Sequence, residues 1–255
     1  MSTSDIRAYQ APADLLKDKV ILVTGASEGI GRVAAKTYAQ YGATVVLHGR
    51  DINKLEVVYD EIEAAGHAQP AIIPLNFSAA TNADFEQIAI SIEQELGRLD
   101  GILHCAGVLG DITPLEMYDP DTWDEVMKIN LRAPYLLTQS LLPLLKQSDD
   151  ASVIFMGSSV GRKARPFWGA YSVSKYGVEG LSLLLAEELA NTSNIRVNCV
   201  NPGATRTMMR AKAYPAEDPS NVTTPQALMP LFLYLMGIDS KGTTGQSIDA
   251  QPKVT

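Results

Sequence analysis

Short runs rich in apolar residues recur along the chain, and most of them are apolar on both faces rather than on one face only. A run of this kind is typical of a strand that is buried on both faces in a parallel sheet. Such runs cover residues 20–24, 44–48, 71–75, 101–105, 152–156 and 196–200, with a weaker one at 246–249. The pattern therefore predicts a largely buried parallel sheet.

Longer segments with apolar residues at helical spacing separate these runs. Strands that alternate with helices predict right-handed crossovers and helices on both faces of one sheet. At the helix ends, Gly42 is predicted to follow the first helix, Asp51 to cap the second, and Thr122 or Asp121 to cap the fourth. The predicted helices cover residues 30–41, 52–65, 83–96, 122–145, 171–190 and 225–236.

The alternation has no break long enough for a linker, so one domain over residues 1–255 is predicted. The one long irregular stretch covers residues 204–224 and contains Pro215, Asp218, Pro219 and Asn221. A stretch of this length in a compact domain is usually functional, and we predict that it forms a substrate lid.

The composition limits the class of partner. The 255-residue chain has a formal net charge of −8, whereas nucleic acids and anionic membranes bind basic surfaces, so neither is expected as a partner. No run approaches the roughly 20 apolar residues of a membrane span, and the first residues form no signal-peptide core. The cytoplasm is therefore the expected compartment, with Cys105 and Cys199 as buried free thiols.

The first predicted strand leads directly into a glycine-rich turn, TGASEGIG at residues 24–31, and then into a helix. In this context Gly25 permits a tight turn, Gly29 lets the backbone approach a pyrophosphate, and Gly31 lets the helix pack against the strand. The N–H groups that open the helix face the anion. The pattern predicts a dinucleotide site, and the alternative is a glycine-rich turn without a ligand.

The end of the second strand bears on which dinucleotide binds. NAD-selective enzymes usually place a carboxylate there, which binds the ribose 2′-hydroxyl. Here Gly49 takes that place and Arg50 follows, and a guanidinium can bind a 2′-phosphate through two hydrogen bonds. We therefore predict NADP(H). NAD remains the alternative cofactor because Glu28 and Asp51 lie close by. The alternative role for Arg50 is that of a solvated charge at the end of the strand.

A second group of polar residues points to proton chemistry. Tyr171 and Lys175 are four residues apart in a predicted helix and lie on one face, where the ammonium is expected to lower the pKa of the phenol. Ser158 follows the fifth strand, at the sheet edge where ligands bind, and can stabilise charge on a carbonyl oxygen. Asn130 either joins a backbone carbonyl to a water on Lys175 or is a satisfied core amide.

Together these residues resemble the short-chain dehydrogenase/reductase family, from Lys19 to about Gln251. Within the family the chain looks most similar to an uncharacterised bacterial subgroup of oxidoreductases. The resemblance implies a single-domain α/β fold, a Rossmann-like doubly wound seven-stranded parallel sheet of order 3-2-1-4-5-6-7. The matching segments are the turn at 24–31, Ala106-Gly107, Asn130, Ser158, Tyr171, Lys175 and Pro202-Gly203.

The resemblance also implies a role for each site residue. Ser158 positions the substrate, Tyr171 transfers the proton, Lys175 tunes the tyrosine, and Asn130 anchors a proton-relay water. No metal is expected. The implied cofactor-binding set is Gly25, Ser27, Glu28, Gly29, Ile30, Gly31, Arg50, Asn76, Phe77, Ala106, Gly107, Tyr171, Lys175, Pro202, Gly203, Thr205 and Thr207, the last at the position that binds the nicotinamide carboxamide.

Three departures from the family pattern stand out. His104 replaces the first amide of an Asn-Asn-Ala-Gly segment, and we expect it to be a core hydrogen-bonding residue rather than a catalyst. Asn76 replaces the usual adenine-binding aspartate, so a weakened or altered contact is expected. Residues 248–252, Ile-Asp-Ala-Gln-Pro, replace a Val-Asp-Gly-Gly ending, which leaves the docking of the tail open.

The sequence thus predicts an NADP-dependent oxidoreductase that moves a hydride between the cofactor and a small carbonyl or alcohol substrate. The alternative is a catalytically idle dinucleotide-binding sensor or scaffold, which the presence of both Tyr171 and Lys175 disfavours. Helices 122–145 and 171–190 resemble those that pair between subunits in the family, so a homodimer or homotetramer is expected.

The substrate pocket is predicted to lie between residues 109–113, residues 160–168 and the lid. Its apolar lining is predicted from aromatic and methionine side chains. Three cations nearby either bind an anionic substrate group or are solvated loop charges. The lining residues are Phe167, Trp168, Met208, Met209 and Tyr214, and the cations are Arg162, Lys163 and Arg165.

Overall fold

A computed structural model describes residues 6–252 and contains the predicted sheet. All seven strands run parallel, in the order β3-β2-β1-β4-β5-β6-β7, which confirms the predicted fold class. Each strand begins at its predicted residue and ends within one residue of prediction, because the apolar runs stop where the chain leaves the sheet. The strands are β1 Val20–Thr24, β2 Thr44–Gly49, β3 Ala71–Pro74, β4 Gly101–His104, β5 Ser152–Met156, β6 Arg196–Asn201 and β7 Gln246–Asp249.

Helices connect the strands and cover both faces of the sheet. Within residues 6–252, no helix has the length and apolar character needed to cross a bilayer. Gly42 follows the first helix at φ +100°, as predicted. The main helices are α1 Gly29–Gln40, α2 Ile52–Ala64, α3 Asn82–Leu96, α4 Pro120–Met127, α5 Ala133–Leu145, α6 Gly169–Leu189, α7 Met208–Ala213 and α8 Met229–Met236.

The cap of α4 differs from the prediction. Asp119, rather than Thr122 or Asp121, precedes the helix, and its carboxylate accepts from the Thr122 N–H at 2.8 Å. Pro120 follows at the first helical position, where a missing N–H costs no hydrogen bond. The proline therefore moves the start of the helix two residues earlier than the apolar pattern indicates.

Apolar side chains cover the sheet on both sides. On one face α1, α2 and α8 pack against the strands through Tyr38, Leu55 and Phe232, all fully buried. On the other face α3, α5 and α6 pack through residues such as Phe85 and Leu137. Since both faces are covered, the carboxyl ends of the strands are the place where a ligand can approach.

A wide, π-helical turn, Lys128–Arg132, joins α4 to α5, so the uninterrupted α-helix predicted over 122–145 is wrong at this point. Pro134 accounts for the widening. It has no N–H to offer the carbonyl four residues earlier, that of Asn130, and its ring would clash with that carbonyl. Wide turns of this kind occur frequently at functional sites, and this one places Asn130 in the interior, 1% exposed.

The stretch 204–224 is more regular than the sequence predicts. It contains α7 and a 3₁₀ turn, Pro219–Asn221. Thr207 caps α7 because its hydroxyl oxygen accepts from the Arg210 N–H at 3.2 Å. The Arg206 N–H donates to the Thr223 carbonyl at 2.8 Å, so the two ends of the stretch lie side by side.

Candidate active site

Two adjoining clefts open at the carboxyl ends of the strands. The first has a volume of about 240 Å³ and is lined from β1 and β4, where the strand order reverses. The second, of about 300 Å³, lies between Ser158 and the stretch 204–224. Tyr171 lines both. The predicted cofactor residues in the first cleft are Gly25, Ser27, Glu28, Gly29, Ile30, Arg50, Asn76, Phe77, Ala106, Gly107, Tyr171, Lys175, Pro202 and Thr207.

Four predicted site residues are placed differently. Gly203 and Thr205 line the second cleft only, and Asn130 and Gly31 line neither. Gly31 supports the turn instead: a Cβ atom there would lie 2.2 Å from the Gly25 carbonyl oxygen. Only glycine therefore lets α1 approach the turn so closely, which is the packing role that the sequence predicts.

The glycine turn leaves hydrogen-bond donors facing the first cleft. Among residues 6–252, no acceptor binds the N–H groups of Gly29 and Ile30, which open the 12-residue helix α1. Gly25 has φ +67°, and a Cβ there would lie 2.9 Å from the Cα of Ala106. The free donors and the positive end of the helix dipole fit a bound anion such as a pyrophosphate.

Arg50 lies exposed at one end of this cleft, beyond β2. Asp51, the carboxylate that follows it, accepts from the Lys54 N–H at 3.3 Å and so caps α2, as predicted. Asp51 does not line the cleft. The Glu28 carboxylate lies 3.6 Å from the Lys54 ammonium, so its charge is partly offset. The groups at this end fit a phosphate better than a bare ribose hydroxyl.

The side chain of Asn76 closes a tight local turn with Ser78. Its Oδ1 accepts from both the backbone N–H and the hydroxyl of Ser78, at 3.1 Å each. Next to it, Phe77 stacks on the ring of His48 with the centroids 4.2 Å apart. The Asn76 Oδ1 is thus already engaged by Ser78, and the weakened adenine contact stays a prediction.

Tyr171 and Ser158 both line the second cleft, which brings the predicted proton donor and substrate positioner together. Tyr171 is 8% exposed. Burial raises the pKa of Tyr171 to about 12, and the nearby Ser158 hydroxyl opposes this shift. The sequence predicts a lowered pKa for Tyr171, but in the protein alone the pKa is raised. Burial of the phenol outweighs the effect of the neighbouring polar groups.

Lys175 lies one helical turn beyond Tyr171, with its Nζ 5.6 Å from the centre of the tyrosine ring. The ammonium donates to the carbonyl of Met156, the last residue of β5, at 2.7 Å. Burial lowers the pKa of Lys175. Sequence reasoning missed Met156 because its contribution comes from the backbone, which no side-chain pattern reveals.

Asn130 clamps the backbone after β4. Its Oδ1 accepts from the Val108 N–H at 2.8 Å, and its Nδ2 donates to the Val108 carbonyl at 2.9 Å and to Ser174 Oγ at 3.1 Å. The side chain is thus a satisfied core amide that binds a backbone carbonyl. Ser174 precedes Lys175 on α6, so Asn130 links the lysine's helix to the edge of the first cleft.

His104 is a core residue, as expected. It is 3% exposed and lines neither cleft. The Thr138 hydroxyl donates to the Pro134 carbonyl at 2.7 Å, so the His104 Nε2–H donates to Thr138 Oγ1 at 2.8 Å. Residues 6–252 contain no cluster of three or more His, Cys, Asp or Glu side chains that could hold a metal ion.

Arg162 does not reach either cleft, so its predicted alternative role in binding an anionic substrate is wrong. Its Nε donates to Glu179 at 2.9 Å and its Nη1 to Asp249 at 2.6 Å. Glu179 lies on α6, one turn beyond Lys175, and Asp249 ends β7. The arginine therefore ties the loop that follows Ser158 to the helix of Tyr171 and to the last strand.

Gln251 shows how the divergent tail docks. Its Nε2 donates to the carbonyls of Pro202 and Ala204 at 2.8 and 2.7 Å, and its Oε1 accepts from the Thr223 hydroxyl at 2.8 Å. One amide thus holds both ends of the stretch 204–224. The sequence shows that the tail departs from the family pattern, but it does not predict these contacts. The residues that Gln251 contacts are 28 to 49 positions away along the chain.

Replacing Gln251 with Glu is expected to loosen the stretch 204–224. A carboxylate would face two carbonyl oxygens without a donor, which costs about 1–3 kcal/mol of the free energy of unfolding. Urea unfolding and hydrogen exchange of the Arg206 amide measure the effect. The control is Gln246→Glu, the same change at an exposed position of β7. Equal stability of the two variants would contradict the clamp.

Comparisons with known proteins agree with this geometry. A family model for short chain dehydrogenases matches residues 19–218. An uncharacterized oxidoreductase, YciK of Escherichia coli K12, is 50% identical over 244 residues, which are 96% of each chain. A solved short chain dehydrogenase of Pseudomonas syringae is 52% identical, with a TM-score of 0.94 over 95% of this chain and 98% of that one.

A fourth comparison concerns the cofactor. A short chain dehydrogenase of Escherichia coli CFT073, solved as a complex with NADPH, is 51% identical with a TM-score of 0.92, over 95% of this chain and 100% of that one. The family that the motifs predict is confirmed, as is the likeness to uncharacterised bacterial oxidoreductases. The chain belongs to the short-chain dehydrogenase/reductase family of oxidoreductases.

Proposed function

We propose that this protein transfers a hydride between NADP(H) and the carbon of a small carbonyl or alcohol, with Tyr171 giving or taking the proton at oxygen. The observation that carries the proposal is the place of Tyr171, which lines both clefts and shares the wall of the second with Ser158. A dinucleotide in the first cleft and a substrate in the second would meet at this hydroxyl.

The chain's own groups divide the work. When bound, the dinucleotide supplies or accepts the hydride. Ser158 donates a hydrogen bond to the substrate oxygen and stabilises the negative charge that develops there. Tyr171 delivers a proton to that oxygen in reduction and removes it in oxidation. Lys175 places a positive charge beside the phenol, which favours the ionised form when the proton leaves.

Other residues would hold the cofactor. The N–H groups of Gly29 and Ile30 suit the pyrophosphate, Arg50 suits a 2′-phosphate, and Thr207 suits the nicotinamide carboxamide. The homologous enzyme from Escherichia coli CFT073 was solved with NADPH, which supports the same choice here.

The reaction is tested by a screen of small aldehydes and ketones with NADPH, in which oxidation of the cofactor is followed by absorbance. Carbonyl-dependent oxidation is expected. Tight NADPH binding with inactivity across the whole panel would instead favour an idle sensor or scaffold. No feature of the site favours that alternative, since both Tyr171 and Lys175 are in the first cleft.

Replacing Arg50 with Ser is expected to raise the KM for NADPH by about 10- to 100-fold, because a charge-assisted contact to the 2′-phosphate is lost. The KM for NADH in the same variant is the internal control and should not change. Steady-state kinetics with both cofactors provide the measurement. Equal losses with NADPH and NADH would show that Arg50 does not bind the 2′-phosphate.

We also propose that the protein forms a homodimer or homotetramer through α5 and α6. Three apolar side chains on these helices, Tyr135, Tyr176 and Leu184, are 45%, 44% and 58% exposed. Sedimentation should give a multiple of the 27.5 kDa chain mass, and Leu184→Lys should shift the protein toward monomer. A wild-type protein that stays monomeric at micromolar concentration would contradict the assembly.

We place the protein in the cytoplasm. Cys105 and Cys199 are free thiols, which is in keeping with a reducing compartment. Burial raises the pKa of both thiols, so they remain protonated and unreactive at neutral pH.

A further inference from the structure

The second cleft suits a substrate with an apolar body. Ser158 and Tyr171 lie in its wall and supply the polar groups that would meet a carbonyl oxygen. Its volume of about 300 Å³ lies at the lower end for a small-molecule site. The apolar part of the lining comes from Ile30, Leu109, Val160, Trp168, Met209 and Tyr214.

The charge of this cleft is opposite to that of the protein. The chain carries a net charge of −8, yet the lining includes Arg165 and Arg210 and no acidic residue. Arg210 is balanced, because its Nε and Nη2 donate to Glu217 at 2.6 Å each. The Arg210 Cζ also lies 3.7 Å from the ring centre of Tyr214, and this contact holds the guanidinium in place.

Arg165 is not balanced in this way. Within residues 6–252, no carboxylate lies within 4.0 Å of its guanidinium. The other two cations of the same loop differ, since Arg162 is held by Glu179 and Asp249, and Lys163 lines neither cleft. The cleft therefore keeps one uncompensated positive charge, and Arg165 carries it.

We propose that the substrate carries an anionic group of the carboxylate kind, which binds Arg165 while the carbonyl oxygen meets Ser158 and Tyr171. This inference rests on the proposed function and narrows its substrate class. A guanidinium binds a carboxylate through two parallel hydrogen bonds, and the apolar walls between the two ends accept the body of the molecule. The acidic protein as a whole repels an anion, so Arg165 supplies the local attraction.

A matched pair of aldehydes tests the charge requirement. 4-Carboxybenzaldehyde and methyl 4-formylbenzoate share the ring and the aldehyde but differ in charge. With NADPH at low salt, kcat/KM is expected to be at least about tenfold higher for the acid. This ratio should fall toward one in Arg165→Gln and with added NaCl, and it should persist in the control Lys163→Gln. Equal rates in the wild type, or an unchanged ratio in Arg165→Gln, would overturn the proposal.

A binding measurement separates this proposal from the reaction itself. The chain has two tryptophans, and Trp123→Phe leaves Trp168 in the cleft wall as the only tryptophan, which is excited selectively. Titration of the NADP⁺-saturated protein with 4-carboxybenzaldehyde should give a saturable change that Arg165→Gln abolishes. Such binding without turnover upholds the anion site and counts against the reaction. Turnover without charge preference upholds the reaction and overturns the anion site, as does the absence of saturable binding.

Discussion

Replacing Tyr171 with Phe is expected to lower kcat for carbonyl reduction by roughly 10²–10⁴-fold while NADPH binds as tightly as to the wild type. The substitution removes one oxygen atom, and with it the transferable proton. The ring is retained, so its packing against Trp168, 5.7 Å away between centroids, should persist. NADPH oxidation gives kcat and KM, and a fluorescence titration gives the Kd of NADPH.

Tyr176→Phe is the matched control for this experiment. Tyr176 lies on the same helix, directly after Lys175, but it is 44% exposed and lines neither cleft. Its kcat should equal that of the wild type. If Tyr171→Phe retained turnover, or if it lost NADPH binding together with turnover, the proton-transfer role of Tyr171 would be wrong.

The burial of Tyr171 also affects the two directions of the reaction differently. Because the pKa of Tyr171 is about 12, its hydroxyl keeps the proton at neutral pH and can donate it to a substrate oxygen. Oxidation needs the phenolate, which burial disfavours and a nearby positive charge favours. The protein alone therefore favours the acid form of this residue, and the base form depends on positive charge brought close to the phenol.

Elements that depend on local pattern were predictable from the sequence. The strands begin at the predicted residues because each apolar run fills one buried strand. The glycine turn and Asp51 were also found, since a tight turn and a helix cap depend on residues only a few positions apart. The wide turn at Lys128–Arg132 was missed although Pro134 signals it, because the apolar pattern continues through it without a break.

Contacts between distant parts of the chain could not be predicted in the same way. From the sequence, the positive charge of Arg162 makes it a candidate to bind an anion. Only the fold shows that Glu179 and Asp249 already pair with this charge. In the sequence, Gln251 stands out only because it lies where the family has a Val-Asp-Gly-Gly ending. Only the fold shows the two carbonyls to which it donates. The family pattern locates the reacting groups, whereas the contacts made by Arg162 and Gln251 are visible only in the structure.

Acid is expected to destabilise this protein in a pH window set by two buried histidines. His48 and His104 are 2% and 3% exposed, and burial lowers the pKa of each, to about 4 and about 3, from an ordinary value of 6.5. Below pH 6.5 the unfolded chain therefore binds protons that the folded protein does not. The free energy of unfolding should fall by about 1.4 kcal/mol per pH unit for each ring, down toward the folded pKa values.

The variant that combines His48→Phe with His104→Asn tests this origin of the pH dependence. The first change keeps an aromatic ring to stack on Phe77, and the second restores the amide that the family places at this position. Urea unfolding at several pH values between about 6 and 5 should show that most of the slope is gone, because carboxylates titrate mainly near ~4. The control is His67→Gln, which removes the third histidine and leaves both buried rings in place. An unchanged slope in the double variant, or its loss in His67→Gln, would show that the two buried rings do not set the acid sensitivity.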